Sequence, residues 1–161
     1  MTSTTVPRSK YRSYIDIDPG YEDWTLIGEG VNESVMEMNP NVTNEQYIHE
    51  DAGNAEVESY APTQPVQMVA KNGDEVFEFV EDLRRNQSVL DDAHTQVVNV
   101  FLYETEDVNG YPATLHDVAI AVESMGGPGG SKVEIPWTIH YRGDPIQGYF
   151  DIDTLTFIAA A

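Results

Sequence analysis

The segment that most constrains this chain alternates apolar and polar residues near the C-terminus. Its apolar members, at every second position, are Val133, Ile135, Trp137, Ile139 and Tyr141. Because successive side chains of a strand point to opposite faces, the alternation predicts a strand over 132–141 with one buried face. Pro136 falls on the other face and has no N–H to donate, so we expect this strand at an edge or a bulge.

Shorter alternating segments predict that most of the chain is strand. They cover 14–18, 24–27, 31–38, 56–60, 66–70, 96–103, 113–123, 147–151 and 154–158. A single helix is predicted over about 74–86, where apolar residues recur on one helical face and Asp74 or Asn72 can cap the first turn. The elements predict one mainly β domain over 13–161. We expect an antiparallel β-sandwich or partly closed barrel with one flanking α-helix.

A long polar connection over about 39–54 separates the early strands. It is rich in Asn and acidic residues, and its segment 43–49 can form an additional strand. A connection of this length inside a compact domain usually has a function or is disordered. The sequence therefore marks it as a candidate functional loop.

Charge is unevenly distributed along the chain. The formal net charge is −20, yet the first twelve residues carry Arg8, Lys10 and Arg12 and no acid. Residues 13–70 carry twelve acids and no Lys or Arg. We therefore interpret 1–12 as a basic N-terminal arm on an acidic body. Such a body repels phosphates, which argues against a DNA-reading domain. It is either a solvated acidic surface or a surface that lets DNA pass without sticking.

No set of residues predicts catalysis, so we expect no enzyme activity and no cofactor. The chain has no Cys and lacks the nucleophile-elbow, phosphate-loop and zinc-protease motifs. It also lacks an apolar stretch long enough to cross a membrane and the apolar core of a signal peptide, so no export is indicated. We expect the four histidines on surfaces or loops. They are His49, His94, His116 and His140.

Two acid pairs raise the question of calcium binding. Asp16 and Asp18 open a segment similar to a calcium loop, but it lacks the third acid and the final bidentate Glu. Asp151 and Asp153 form the second pair. The simpler prediction is that this spacing places both acids of a pair on one exposed strand face, with no metal site.

Four segments occur in an order that resembles a known family. They are 22–31 around Trp24, the predicted helix at 74–83, a strand and Gly-Gly turn at 111–127, and Gly-Asp-Pro-Ile-Gln-Gly at 143–148. In length and order, nearly the whole chain resembles the major tail tube proteins of long-tailed, siphophage-type bacteriophages, especially those of Gram-positive hosts. Inner tubes of contractile tails share this fold, and the sequence does not separate phages from tailocins or gene transfer agents.

The resemblance implies a structural virion protein that forms hexameric rings stacked into a hollow tube for genomic DNA. Edge strands of neighbouring subunits would join around the lumen, and the N-terminal arm and the 39–54 connection would reach adjacent rings. Implied partners are a tape measure protein inside the lumen and tail terminator and distal or baseplate proteins at the ends. DNA would pass without specific binding, and no membrane is involved. The tube would belong to the virion tail and be assembled in the host cytoplasm.

The resemblance also assigns candidate roles to individual residues. Acids expected on strand faces opposite the core are candidates to line the lumen: Glu33, Glu37, Glu56, Glu58, Asp117, Glu123 and Glu134. Candidates for contacts between subunits or rings are Arg8, Lys10, Arg12, Asn41, Thr43, Gln46, Tyr47 and His49. Two other classes stay open, namely a calcium- or carbohydrate-binding β-sandwich module of a phage tail or cell-surface protein, and a small hydrolase with paired acids.

Overall fold

A computed structural model describes residues 2–161, which form ten strands, one α-helix (α1) and two short 3-10 turns. The strands are β1 Tyr11–Asp16, β2 Trp24–Leu26, β3 Val31–Ser34, β4 Pro40–Glu45, β5 Asn54–Tyr60, β6 Thr63–Met68, β7 His94–Phe101, β8 Tyr111–Val122, β9 Trp137–Asp151 and β10 Thr156–Ala159. Helix α1 spans Glu75–Asn86, and the 3-10 turns span Arg8–Lys10 and Leu90–Ala93. None of these helices is long and apolar enough to cross a bilayer.

Eight strands form one curled antiparallel sheet in the order β2-β1-β7-β8-β9-β6-β3, with β10 paired to β9. Strand β9 is 15 residues long, and its first part pairs with β6 while its last part pairs with β10. A bulge interrupts its pairing with β8 where Gly143 adopts a φ of 67°. The bulge bends the sheet, as extra unpaired residues do. The predicted mainly β class with one flanking helix is therefore confirmed.

Two apolar clusters fill opposite faces of the sheet. On the face that we call the helix face, Val76 and Val80 of α1 pack against Ile15, Val97 and other buried residues. At the far end of the opposite face, Tyr14 and Trp24 pack with Phe150, whose ring centroid lies 4.7 Å from that of Tyr14. Strands β1 and β7 therefore contribute buried side chains to both faces of the sheet.

Helix α1 begins and ends with the signals that its sequence predicted. The Asp74 side chain accepts a hydrogen bond from the Val76 N–H at 3.3 Å, as an N-cap residue does. At the other end Gln87 has a φ of 47°, and Ser88 N–H donates to the Leu83 carbonyl at 3.1 Å. This left-handed cap satisfies the last carbonyl groups of the helix.

The strand with the clearest alternation has a different position from the predicted one. It begins at Trp137, continues through the predicted 147–151 strand, and pairs with β8 and β6 on both sides. The expectation of an edge position was wrong, because Pro136 precedes the strand and no ladder hydrogen bond is needed from it. The residues before it still alternate, since Ile135 is buried and its N–H donates to the Met68 carbonyl.

The polar 39–54 connection is largely ordered as a hairpin. Strands β4 and β5 pair only with each other as a separate two-stranded sheet among the residues described, with Val42 opposite Val57. The hairpin joins the main sheet where Glu37 bridges Thr63. Every residue of β5 is exposed. The hairpin therefore projects from the domain and contributes little to its core.

Candidate assembly surfaces

Acidic side chains collect on the part of the sheet that faces away from α1. Asp117 of β8 lies in register with Gln96 of β7 and Arg142 of β9, and Gln96 Nε2 donates to Asp117 Oδ1 at 2.9 Å. Glu33 of β3 lies in register with Gln67 of β6. Because paired residues of antiparallel strands project to the same side, both acids lie opposite the buried helix face.

Three more acids lie on the same side of the sheet as Asp117 and Glu33. Glu37 bridges Thr63, which lies on this side of β6, and Glu134 immediately precedes the buried Ile135. Glu123 follows the last residue of β8, on the same alternation as Asp117. All five are exposed. We call the surface that they form the open face, defined by Glu33, Glu37, Asp117, Glu123 and Glu134.

The other two predicted lumen residues, Glu56 and Glu58, lie elsewhere. Both belong to β5 of the projecting hairpin, where Glu58 Oε1 accepts a hydrogen bond from Thr43 Oγ1 at 2.9 Å. The tertiary structure thus brings five of the seven candidates onto one surface and separates two of them. The role of all seven acids in lining a lumen stays a prediction.

The hairpin also carries the predicted contact residues of the 39–54 connection. Asn41, Gln46, Tyr47 and His49 are exposed, and Thr43 is half-buried. The turn is partly ordered, since the rings of Tyr47 and His49 stack at 6.3 Å and Gln46 Nε2 donates to the Glu50 carbonyl at 2.9 Å.

Apolar residues accompany these polar ones. Val42, Ile48, Val57 and Tyr60 are exposed, and Ile48 is as accessible as in an extended chain. A lone hairpin is marginally stable in water, and contiguous exposed apolar residues mark interaction surfaces. The hairpin is therefore a candidate interaction surface.

The charged residues of the predicted basic arm lie against the sheet. Arg8 Nη2 donates to the Ser34 carbonyl of β3 at 3.1 Å, and its guanidinium lies 5.2 Å from the Tyr11 ring centroid. Arg12 already belongs to β1, and its Nε donates to the Ser9 carbonyl at 3.3 Å. Lys10 is exposed. These contacts draw the start of β1 towards β3, the far edge strand of the curled sheet.

A groove of about 480 Å³ remains between the start of β1 and strand β3. Its polar wall includes Arg8 and Arg12, and its apolar wall includes Leu26, Ile27 and Val31. Its floor includes Ser13, Gln64 and Ser34, which belong to a chain of side-chain hydrogen bonds across five strands. In order, the side chains are Ser13, Asn99, Tyr141, Gln64 and Ser34, with successive heavy-atom distances of 2.7, 3.2, 2.5 and 2.9 Å.

His116 lies beside this buried chain. Its ring packs edge-on against Tyr141 at 4.7 Å, and its Nε2 lies 2.9 Å from Thr114 Oγ1. Burial lowers the pKa of His116 to about 4 and raises the pKa of Tyr141 well above its usual range. Both side chains are therefore neutral at pH 7, and each has a hydrogen-bond partner. The prediction that all histidines lie on surfaces or loops was wrong for His116.

The polar floor was not predicted, although part of its signal is visible in the sequence. Three polar residues occupy strand positions at which the alternation predicts an apolar residue: Ser13, Gln64 and Asn99. Each is buried and hydrogen-bonded to a side chain of another strand. Such a network fixes which strands are neighbours, because an unpaired member would be costly. Its members hold structure and show no arrangement of nucleophile and base.

The acid pair at Asp16 has a structural use. Asp16 is fully buried, and its carboxylate accepts four backbone N–H groups, from Asp18 and Asp23 on Oδ1 and from Gly20 and Glu22 on Oδ2. The prediction of an exposed strand face was therefore wrong for Asp16. The lone pairs that a cation would need are occupied by amide donors, which argues against calcium in this loop.

The second pair is built in a similar way. Asp151 Oδ1 accepts the N–H groups of Asp153 and Thr154 at 2.9 and 3.3 Å, which closes the turn between β9 and β10. The N–H of Asp153 is the main cause of a lowered pKa at Asp151. Among residues 2–161, no three His, Asp or Glu side chains converge in a way that could hold a metal ion.

These surfaces belong to a curled antiparallel half-barrel closed on one face by a single helix. The sequence matches no protein-family model and no curated protein. The fold, in contrast, is similar to a solved structure, a chain from the tail of an empty gene transfer agent (GTA) particle determined by helical refinement with C6 symmetry. The two chains share 11% identity, with a TM-score of 0.64 over 96% of this chain and 100% of the other. The shared fold therefore covers nearly all of this chain.

Proposed function

We propose that this chain is a structural subunit of a phage-like tail, which forms rings of six that stack into a hollow tube conducting DNA. The observation that carries the proposal is the shared fold over 96% of the chain with a subunit of a C6-symmetric tail. A match of that extent supports a structural role for nearly all of the 161 residues. The protein acts through its shape and charge.

The surfaces of the chain support assembly. The β4–β5 hairpin exposes apolar side chains on a sheet of only two strands, and β2 and β3 end the main sheet as short strands of three and four residues. Free backbone groups at such edges can pair with another subunit. A ring of identical subunits with head-to-tail contacts closes every such edge. The exposed features of the monomer therefore become buried in the assembly.

The open face supports a lumen for DNA. Its five acids outnumber the cation that lies in register with Asp117, Arg142, so six copies would surround the lumen with net negative charge. Double-stranded DNA carries about one negative charge per 1.7 Å of helix axis, and even a few Lys or Arg contacts bind it strongly at low salt. A surface of the same sign keeps DNA from adhering during transit.

The remaining partners follow from the same proposal. A tape measure protein would occupy the lumen before DNA does, and tail terminator and distal or baseplate proteins would close the two ends. The subunit would be assembled in the cytoplasm of the host, of the Gram-positive type by resemblance, and act in the virion tail.

Electron microscopy of the purified chain tests the proposal. We expect negative-stain images of hollow tubes with sixfold rings, formed by the protein alone or with a tail initiator. Averaged end views should show six subunits around an open lumen. A chain that stays strictly monomeric in both conditions at high concentration would refute the proposal.

A further inference from the structure

We infer that rings stack because the Val89–Asp92 segment of one copy docks into the Arg8–Arg12 groove of a second copy above or below it. This inference rests on the proposed tube and names the residues that hold its rings together. We call the first surface the loop knob (Val89, Leu90, Asp91, Asp92). We call the second the basic groove, whose lining includes Arg8, Arg12, Leu26, Ile27 and Val31 together with one acid, Glu33.

The loop knob is an exposed apolar and acidic projection, and Asp91 Oδ1 lies 3.5 Å from His94 Nδ1 of the same subunit. Val89 and Leu90 are 67% and 81% exposed, and the Asp91 side chain is fully exposed. Leu90 also has a φ of 52°, a left-handed conformation that side chains with a Cβ rarely adopt. An exposed large apolar residue in strained backbone gains nothing in the free subunit. Strain of this kind is typical of sites that act through a partner.

The basic groove has the complementary chemistry. Leu26, Ile27 and Val31 supply apolar side chains to the lining of this groove of about 480 Å³. Arg8 uses two of its N–H groups on the Tyr11 and Ser34 carbonyls, which leaves three of its five donors for a carboxylate. Arg12 uses its Nε on the Ser9 carbonyl and forms no ion pair with an acid among residues 2–161, although Glu33 lines the same groove. A segment with a leucine followed by two aspartates matches both walls.

The two surfaces lie at opposite ends of one strand. The loop knob immediately precedes β7, whereas the arm precedes β1, whose Tyr11 pairs with Phe101 at the last residue of β7. Eight strand residues separate the two ends, or about 26 Å at the usual rise. Complementary surfaces at opposite ends of a subunit give a head-to-tail contact, which repeats along an axis without closing.

A second copy of this chain is the occupant that charge favours. Three of the eight cationic residues of the chain lie in the arm, and the body that would meet them is strongly acidic. The hairpin leaves the sheet beside the groove, since Tyr11 Oη contacts Met36 Sδ at 3.8 Å just before β4. The groove and the hairpin therefore face the same neighbour, and opposite charges would set the register between rings.

Charge reversal tests this contact. Tubes of wild type, of Asp91→Lys/Asp92→Lys, and of Glu78→Lys/Asp82→Lys are compared by sedimentation and electron microscopy. The last variant is the matched control, since it makes the same charge change on exposed acids of α1, outside the groove. We expect the knob variant to form single rings, with the sedimenting fraction reduced about tenfold or more, and the control to form tubes. Adding Arg8→Glu/Arg12→Glu to the knob variant should restore tubes.

A second variant separates docking from folding. Leu90→Gly relieves the left-handed strain and removes the apolar side chain, so the subunit should unfold at the same or a higher temperature while its tubes shorten. Normal tubes from both the Leu90→Gly and the Asp91→Lys/Asp92→Lys variants would overturn this inference and leave the proposed function intact. Wild-type protein that forms no ring or tube would instead overturn the proposed function.

Discussion

The Asp16 side chain holds the turn between β1 and β2 by accepting hydrogen bonds from its backbone. Its two carboxylate oxygens accept four N–H groups of the 18–23 turn, and its own carbonyl accepts the Thr95 hydroxyl at 2.6 Å. The turn connects β1 to β2, which is the edge of the sheet. One buried carboxylate thus satisfies the donors that a tight turn would otherwise leave unpaired.

The first prediction concerns Asp16→Asn. The amide keeps the shape of the side chain but offers one acceptor oxygen, so two N–H groups would face an NH₂ donor. We expect the free energy of unfolding to fall by about 2 kcal/mol, measured by urea denaturation. Asp18→Asn is the matched control, since Asp18 is exposed, and it should change stability by less than about 0.5 kcal/mol. Equal stability of the two variants would contradict the role given to Asp16.

Glu81 gives a prediction with a pH dependence. It is buried on α1 and accepts hydrogen bonds from Arg84 and Arg85, and the bond from Arg84 is the main cause of a pKa lowered to about 2 from 4.5. A carboxyl with a lowered folded pKa stabilises the fold above its unfolded pKa, and this contribution is lost as pH falls through the folded value.

Glu81→Gln should therefore lower the free energy of unfolding by about 1 kcal/mol at pH 7. The difference from wild type should persist above pH 4.5 and shrink towards pH 2, as followed by urea unfolding across that range. Glu78→Gln, on the exposed side of the same helix, is the control and should show a smaller difference at every pH. A Glu81→Gln difference that is constant from pH 7 to pH 2 would contradict the assignment.

Among the elements, the β4–β5 hairpin was predicted least well. Its residues are polar and acidic, so the sequence indicated a long connection with one short extra strand. The pairing of Val42 with Val57 joins residues 15 positions apart, with a register shift next to Asn41. Periodicity within a single segment carries no information about such a partner, whereas the helix was predicted well because its caps and apolar face are local.

The hairpin also provides a prediction at this scale. Ile48→Ser removes a fully exposed apolar side chain from its turn, so the free energy of unfolding should change by less than about 0.5 kcal/mol. Tube formation should nevertheless weaken, because the hairpin would be buried against a neighbouring subunit. Val108→Ser is the matched control, since Val108 is 95% exposed on a loop outside the hairpin, and it should assemble normally. Equal assembly of the two variants would count against the hairpin as a contact.

At the scale of the whole molecule, the curled sheet decides on which side the acidic residues lie. The chain is acidic almost everywhere outside its arm, yet only part of that charge lies on the open face. The sheet places five acids there and puts α1 on the opposite side. In the proposed ring, one of these two sides would face the lumen, and the acidic side would suit passing DNA.

A prediction on the assembled tube follows from this arrangement. Glu33→Lys/Asp117→Lys/Glu123→Lys reverses the open face, so tubes of this variant should bind short duplex DNA, with affinity falling steeply as salt is raised. Fluorescence anisotropy measures the binding, and wild-type tubes should show none. Glu78→Lys/Glu104→Lys/Glu106→Lys is the control with the same total charge change on other surfaces. Equal DNA binding by the two variants would mean that net charge matters and the open face does not.

The sequence by itself determined the class of the fold, the position of its helix and the separation of a basic start from an acidic body. These properties depend on neighbours along the chain, through period-two alternation, helix caps and local composition. Only the tertiary structure decided that Asp16 is buried, that His116 is neutral and packed on Tyr141, that Arg8 contacts β3, and that five of seven acids share one face. Each of these depends on the register between strands far apart in sequence, which is set by the packing of the whole sheet.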